Sequence, residues 1–164
     1  MAKPEPHGGY HRIVSTEDES PRPFVRLDVW GVRPRGVARA LLRMGTQRLQ
    51  LRRQPGITFT KLLGTSSGET FTMRDADPRH WAIISAWSDE QQARAFQGSS
   101  IAQSWNSSAQ EQLTVLMQPL VSRGQWSGRE PFAVIDKKAA PGVIAAITRA
   151  RIKPKMWTKF WSSV

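Results

Sequence analysis

The sequence predicts an α+β protein, one ferredoxin-like βαββαβ repeat followed by the start of a second. Three observations carry that reading. Residues 24–31 alternate apolar with charged side chains, as a half-buried strand does. Residues 34–52 repeat apolar side chains at helical spacing. Two further apolar runs, 57–63 and 81–87, flank a loop bearing Gly68 and Pro78, and a second helical stretch leads to a last apolar run at 113–121. The resulting order, β-α-β-β-α-β, is that of the split βαβ motif.

Residues 1–23 are rich in Pro, Gly and charge and read as a mobile leader. After the strand at 24–31, Val37, Leu41, Met44, Arg48 and Leu51 share one face of the helix at 34–52, and Arg35, Arg39 and Arg43 form a stripe at i, i+4 spacing. Gln54, Pro55 and Gly56 make a turn, and the second strand ends at Gly64. Ser88 with Gln91 fits a capping box, which predicts a helix from Asp89. Gly98 interrupts it, and a second helical piece runs to Gln110. Pro119 puts the end of the last strand at a sheet edge or bulge.

The repeat is therefore expected over 24–136, with a linker at 137–142 and the second repeat opening at 143–164 with a strand and then a helix from Lys155. Trp157, Phe160 and Trp161 in that last segment would have to pack on the first repeat or on another subunit. This predicts a homo-oligomer, with the C-terminal segment near the contact.

Composition narrows the chemistry. With 39% apolar residues in 164, the chain can bury a core. It has no cysteine, which excludes disulfides, zinc-thiolate sites, iron–sulfur clusters and a thiolate haem ligand from its own residues. No run of about 18 apolar residues occurs, and the leader has no secretory h-region. A cytoplasmic protein is expected. The net charge is +11, concentrated in nine arginines from Arg22 to Arg53 against the single acid Asp28, and in seven Lys or Arg after Asp136 with no acid. Such a surface attracts anionic partners of several kinds. The basic helix at 34–52 could lie on an anionic membrane, or be a solvated face. The aromatic and basic segment from Lys153 to Trp161 could sit at a membrane interface or stack on bases, or pack on a neighbouring repeat.

Two short segments concentrate chemistry-bearing residues. In the first, Lys61, Gly64, Thr65, Gly68 and Phe71 follow a strand into a glycine-bearing loop. A phosphate-loop reading fails there, because Glu69 and Thr70 stand where Lys and Ser or Thr should follow the second glycine. A plain turn between strands is the alternative. In the second, Arg123, Trp126 and Arg129 sit in a loop with Gly124 and Gly128, a setting suited to stacking and carboxylate pairing, or to ordinary Trp burial.

In this order the two segments resemble the spheroidene monooxygenase family, over roughly residue 24 to the C-terminus. The resemblance implies oxygen-dependent carotenoid ketolases, haem proteins built of ferredoxin-like repeats of the dimeric α/β-barrel type. It implies that Lys61, Gly64, Thr65, Gly68, Phe71, Arg123, Trp126 and Arg129 bind the cofactor, the glycines letting backbone approach a flat ligand and the cations meeting its carboxylates. His80 is the one histidine inside the folded region, since His7 and His11 lie in the leader. Neutral imidazole is the usual proximal haem ligand where no thiolate exists, so His80 is the metal candidate, with a structural histidine as the alternative. The resemblance itself implies an axial ligand in the second repeat, beyond Val164.

The expected function is a haem-dependent monooxygenase acting on a hydrophobic, carotenoid-like substrate, with an external electron donor and peripheral membrane contact. A non-catalytic binding or assembly module of the same fold is the alternative. Nucleic-acid binding, suggested by charge alone, comes last because no reading motif accompanies it.

Overall fold

The computed structural model describes residues 24–66, 76–132 and 142–147. Four strands form a single antiparallel sheet: β1 Phe24–Val32, β2 Ile57–Ser66, β3 Ala76–Trp87 and β4 Ala109–Met117, in the order β2-β3-β1-β4. A short 3-10 turn, Pro34–Gly36, leads into α1 Val37–Arg52, while α2 Glu90–Ala95, a 3-10 turn Phe96–Gly98 and α3 Ser100–Asn106 connect β3 to β4. This is the ferredoxin-like α+β fold that the hydrophobic pattern predicts.

Period-2 patterning requires each strand to present two faces. One face of the sheet packs against the helices. Trp30 and Val32 of β1 and Trp81, Ile83 and Trp87 of β3 meet Ala40 and Leu51 of α1, Phe96, and Ile101 and Trp105 of α3. Trp30 stacks on Trp105 with ring centroids 5.3 Å apart, and its Nε1 donates to Asn106 at 2.8 Å.

The alternation in β1 is inverted relative to the usual arrangement. Arg26 and Asp28 point toward the helices and are 2% and 0% exposed. Burial of such charges is tolerable only when they are paired and fully hydrogen-bonded. Arg26 makes a two-pronged pair with Asp28, both contacts at 2.8 Å, donates to the carbonyl of Ala93 at 2.8 Å and also to Gln97. Thr114 donates to Asp28 Oδ1 at 2.7 Å. Val25 and Leu27 of β1 face the other way, in a second cluster with Phe59, Ile84, Ala86 and Trp126.

In α1 the buried positions are Ala40, Gln47 and Leu51, with Val37 and Met44 packed beside them. Leu41 and Arg48, expected on this face, are exposed instead. Gln47 is inside because Trp105 donates its Nε1 to Gln47 Oε1 at 2.8 Å while Gln47 Nε2 donates to Ser104 at 2.9 Å, which satisfies both groups. The second helical stretch is capped by Asp89, not Ser88, through a 2.8 Å bond from the Gln92 N–H. It breaks at Gly98 as expected and restarts after the Ser99 cap. β4 begins at Ala109 and ends before Pro119, which has no N–H to give a ladder.

Residues 142–147 have no regular secondary structure, with Val143 and Ile144 exposed, so the expected strand does not start there. The leader 1–23, Gly68, Phe71, and Trp157, Phe160 and Trp161 lie outside the described residues.

Candidate functional site

Strand register lays the helix-free face of the sheet out as rows. Phe59, Ala86, Val25 and Met117 make one row; Lys61, Ile84, Leu27 and Val115 the next; Leu63, Ala82, Val29 and Leu113 a third; His80, Gly31 and Glu111 a fourth. Three rows are apolar except for Lys61. From Val25 to Gly31 the strip runs about 20 Å, at roughly 3.4 Å per residue.

At the Phe59 end a tight hairpin folds over the sheet. Trp126 and Arg129 exchange backbone hydrogen bonds of 2.7 and 3.2 Å across Ser127 and Gly128, whose φ values are 56° and 75°. Positive φ at both central residues is the type I′ turn, and Gly128 is suited to it. This geometry sets Trp126 edge-on to Phe59 at 6.0 Å and to Phe132 at 5.5 Å, with Phe59 and Phe132 5.8 Å apart. A buried three-ring cluster therefore pins the hairpin to the sheet.

Beside it opens a cleft of about 440 Å³, lined by Phe59 and Lys61 of β2, Arg52 at the end of α1, and Trp126, Ser127 and Arg129 of the hairpin. That volume lies within the range of small-molecule sites, roughly 300–1,000 Å³. Three cations converge on an aromatic wall, and Lys61 Nζ lies 5.9 Å from the Phe59 ring centroid. The three cations can pair an anionic group, beside the rings of Phe59 and Trp126, each 9% exposed.

Lys61 from the first segment and Trp126 and Arg129 from the second are thus brought to one cleft. Gly64 and Thr65 are not: they lie further along β2, where Thr65 donates its hydroxyl to the carbonyl of His80 at 3.0 Å. Arg123 is exposed and does not line the cleft. Sequence reasoning missed Arg52, although it continues the basic pattern of α1, and did not single out Phe59, which opens the first segment.

His80 stands at the opposite end of the strip. Its Nδ1 meets Asp77 Oδ2 at 2.5 Å and its Nε2 meets Glu111 Oε1 at 2.7 Å. The hydrogen bonds to Glu111 and then Asp77 raise the imidazole above its ordinary value, and the His80 bond lowers the Asp77 carboxyl. Gly31 makes room for the bridge, since a Cβ there would lie 2.6 Å from Glu111 Oε1 and 2.9 Å from His80 Nε2. Both ring nitrogens are engaged, and no three His, Asp or Glu side chains among the described residues form a metal-binding group.

No family model matches the chain. It is 35% identical over 120 residues to spheroidene monooxygenase of Cereibacter sphaeroides, a match covering 73% of this chain and 37% of that protein. It is 37% identical over 121 residues to the enzyme of the same name from Rhodobacter capsulatus, covering 71% and 49%. For that of Rubrivivax gelatinosus the figures are 34% over 109 residues, 66% and 42%. The chain thus spans less than half the length of these curated relatives. Among solved structures, a protein of unknown function from Nitrosomonas europaea superposes with a TM-score of 0.50 at 12% identity, covering 65% of this chain and 98% of that one, a likeness of fold. On these alignments the chain is a relative of the spheroidene monooxygenases, sharing sequence with part of their length and carrying it on a ferredoxin-like α+β sheet.

Proposed function

We propose that this chain forms part of a monooxygenase acting on an elongated hydrophobic, carotenoid-like substrate. The observation that carries the reading is the apolar strip on the helix-free face, about 20 Å long at strand spacing, which ends in the cationic, aromatic cleft of Lys61, Trp126 and Arg129. Kinship with proteins named spheroidene monooxygenase supports it. The strip would take the polyene by burial of apolar surface, and a second sheet, from another repeat or another copy, would close over it and exclude water.

Haem is the cofactor the family resemblance implies. The cleft fits its periphery: Lys61, Arg52 and Arg129 can pair propionates, and Trp126 and Phe59 offer an aromatic wall. It does not fit its iron, because among the described residues no imidazole, thiolate or phenolate lines the cleft and His80 has both nitrogens engaged at the other end of the strip. The role of these residues is therefore to bind, orient and shield, and the oxygen-activating step, with the electrons it consumes, is not assigned to them.

The engaged state of His80 favours a second reading, a non-catalytic binding module of the same fold. Titration of the purified chain with a long polyene, followed by Trp fluorescence and the visible spectrum, tests both. Saturable quenching that weakens at least tenfold in Leu113→Glu, an exposed position of the same face, is expected under either reading. Gain of oxygen by the polyene, read by mass spectrometry after haem, reductant and air are supplied, supports the monooxygenase. Binding without oxygen gain supports the module, and absence of binding by the folded chain overturns both.

A further inference from the structure

The outer face of α1 combines features that a solvated helix does not need. Leu42 and Leu49, seven residues apart, lie on the side turned away from the sheet and are 66% and 55% exposed, and Leu41 beside them is 56% exposed. Large aliphatic side chains grouped on one helix face and left in water mark an interaction surface. Around them the charge has one sign: no acidic residue occurs between Asp28 and Glu69, while Arg35, Arg39, Arg48 and Arg52 surround the leucines.

Next to the first turn of α1 lies a second cleft of about 510 Å³, lined by Arg33, Arg35 and Arg39 together with Ser107 and Ser108. None of the three arginines pairs with a carboxylate among the described residues. Arg43, stacked 5.3 Å from the Trp105 ring centroid, donates Nη2 to Ser108 at 3.0 Å, while its Nη1 is buried with no hydrogen-bond partner. Burial, and then the nearby Arg39, hold Arg43 below its ordinary value. Like charges crowd one concavity with no carboxylate paired to them among the described residues, which is the environment of an anion site.

We propose that the outer face of α1 docks on an anionic phospholipid bilayer, the leucines entering the interface and a lipid phosphate seating in the arginine cleft. A basic helix face with interleaved aliphatic side chains lies in the plane of such a surface. Charge complementarity calls for an anionic occupant, and the only acidic run of this chain near α1 in sequence, Glu17-Asp18-Glu19, is short and carries no apolar surface for the leucines, which a bilayer supplies. The segment after Asp136 has seven Lys or Arg and no acid, so this chain's own C-terminal residues would be repelled, and a second copy would present the same arginines. The inference stands apart from the reaction proposed above, because the leucines and the Arg33, Arg35 and Arg39 cleft lie outside that site, which α1 touches only through Arg52.

Sedimentation with vesicles of phosphatidylcholine, with and without phosphatidylglycerol, tests it, with inorganic pyrophosphate as a soluble competitor. Binding is expected only to the anionic vesicles. Each arginine at such a surface contributes about 1 kcal/mol, so Arg35→Gln/Arg39→Gln weakens binding roughly thirtyfold. Leu42→Gln/Leu49→Gln, which keeps every charge, weakens it at least about fivefold by removing the apolar insertion. A charge-matched control away from α1, Arg79→Gln/Arg94→Gln, retains binding to within about fivefold. All three variants alter exposed residues, and far-UV circular dichroism confirms their fold. Equal weakening by the control, indifference to the leucine change, pyrophosphate binding without vesicle binding, or a change of oligomeric state in the leucine variant would each overturn the proposal.

Discussion

Asp28→Ala isolates the contribution of the buried ion pair that anchors β1 to the helices. Removal of the carboxylate strips Arg26, 2% exposed, of two hydrogen bonds of 2.8 Å and of its counter-charge among the described residues, and strips Thr114 of its acceptor. The guanidinium keeps its bonds to Ala93 and Gln97, and an uncompensated charge remains in the core. Breaking such a pair costs about 3–5 kcal/mol, a large share of the roughly 5–15 kcal/mol that holds a domain together. With a urea dependence of about 1–3 kcal/mol per molar, the unfolding midpoint should fall by about 1 M or more. The double variant Arg26→Met/Asp28→Leu removes both charges and should recover most of that loss, because apolar replacement of a whole buried pair is often near neutral. If Asp28→Ala stays within about 1 kcal/mol of the parent, the pair is hydrated in solution and the account of β1 is wrong.

The His80 bridge predicts a pH dependence whose sign is fixed. The folded imidazole sits above 6.5, so its contribution is complete below that value and is lost as pH climbs through the folded value; Asp77 sits below 3.8, so its contribution is complete above 3.8 and is lost as pH falls through the folded value. The melting temperature of the parent relative to His80→Gln should therefore differ most near pH 5–6, with the difference shrinking as pH climbs through the raised imidazole value, and a flat difference would refute the bridge. Gly31→Ala should cost little, because the exposed Glu111 side chain can swing away, but should reduce that pH dependence to the part Asp77 supplies, since its Cβ would lie 2.6 Å from Glu111 Oε1. Retention of the full pH profile in Gly31→Ala would show that Glu111 is not held where it stands.

How much was legible follows from what each signal encodes. Apolar alternation places the strands, and Gly98 marks the break between α2 and α3, because both are local properties of the chain. Alternation does not say which face is inward. Arg26 and Asp28 read as solvent-facing, and are buried because each satisfies the other, a fact of pairing that no single position displays. In α1, Leu41 yields to Gln47 because Trp105, distant in sequence, brings an indole N–H that only a polar partner can meet. Lys61, Trp126 and Arg129 were visible as residue types, but their convergence depends on where the hairpin lies against β2 and on the ring contacts of Phe59 and Phe132. Arg52 joins the cleft for the same reason, through the packing of α1 and not through any motif. For His80, Asp77 is close in sequence, whereas Glu111 reaches it only across Gly31 in the assembled sheet.

The two faces of the sheet divide labour. The helix-packed face is closed, with Trp87, Trp105, Ile83 and the Arg26–Asp28 pair all nearly inaccessible, so substitutions there act on stability. The other face is apolar along its length; Val25, Ile84 and Ala86 toward the Trp126 and Phe132 end are nearly inaccessible as well, while Leu113 near the other end remains 56% exposed. Apolar surface left open on a sheet is a cost unless something covers it. Period-2 geometry puts neighbouring residues of one strand on opposite sides, so Arg26 and Leu27 separate the two roles at adjacent positions. Leu27→Gln should depress polyene binding more than stability, and Arg26→Gln the reverse. Loss of both properties together in each variant would mean that the open face is simply a second core, and that the strip is not a binding surface.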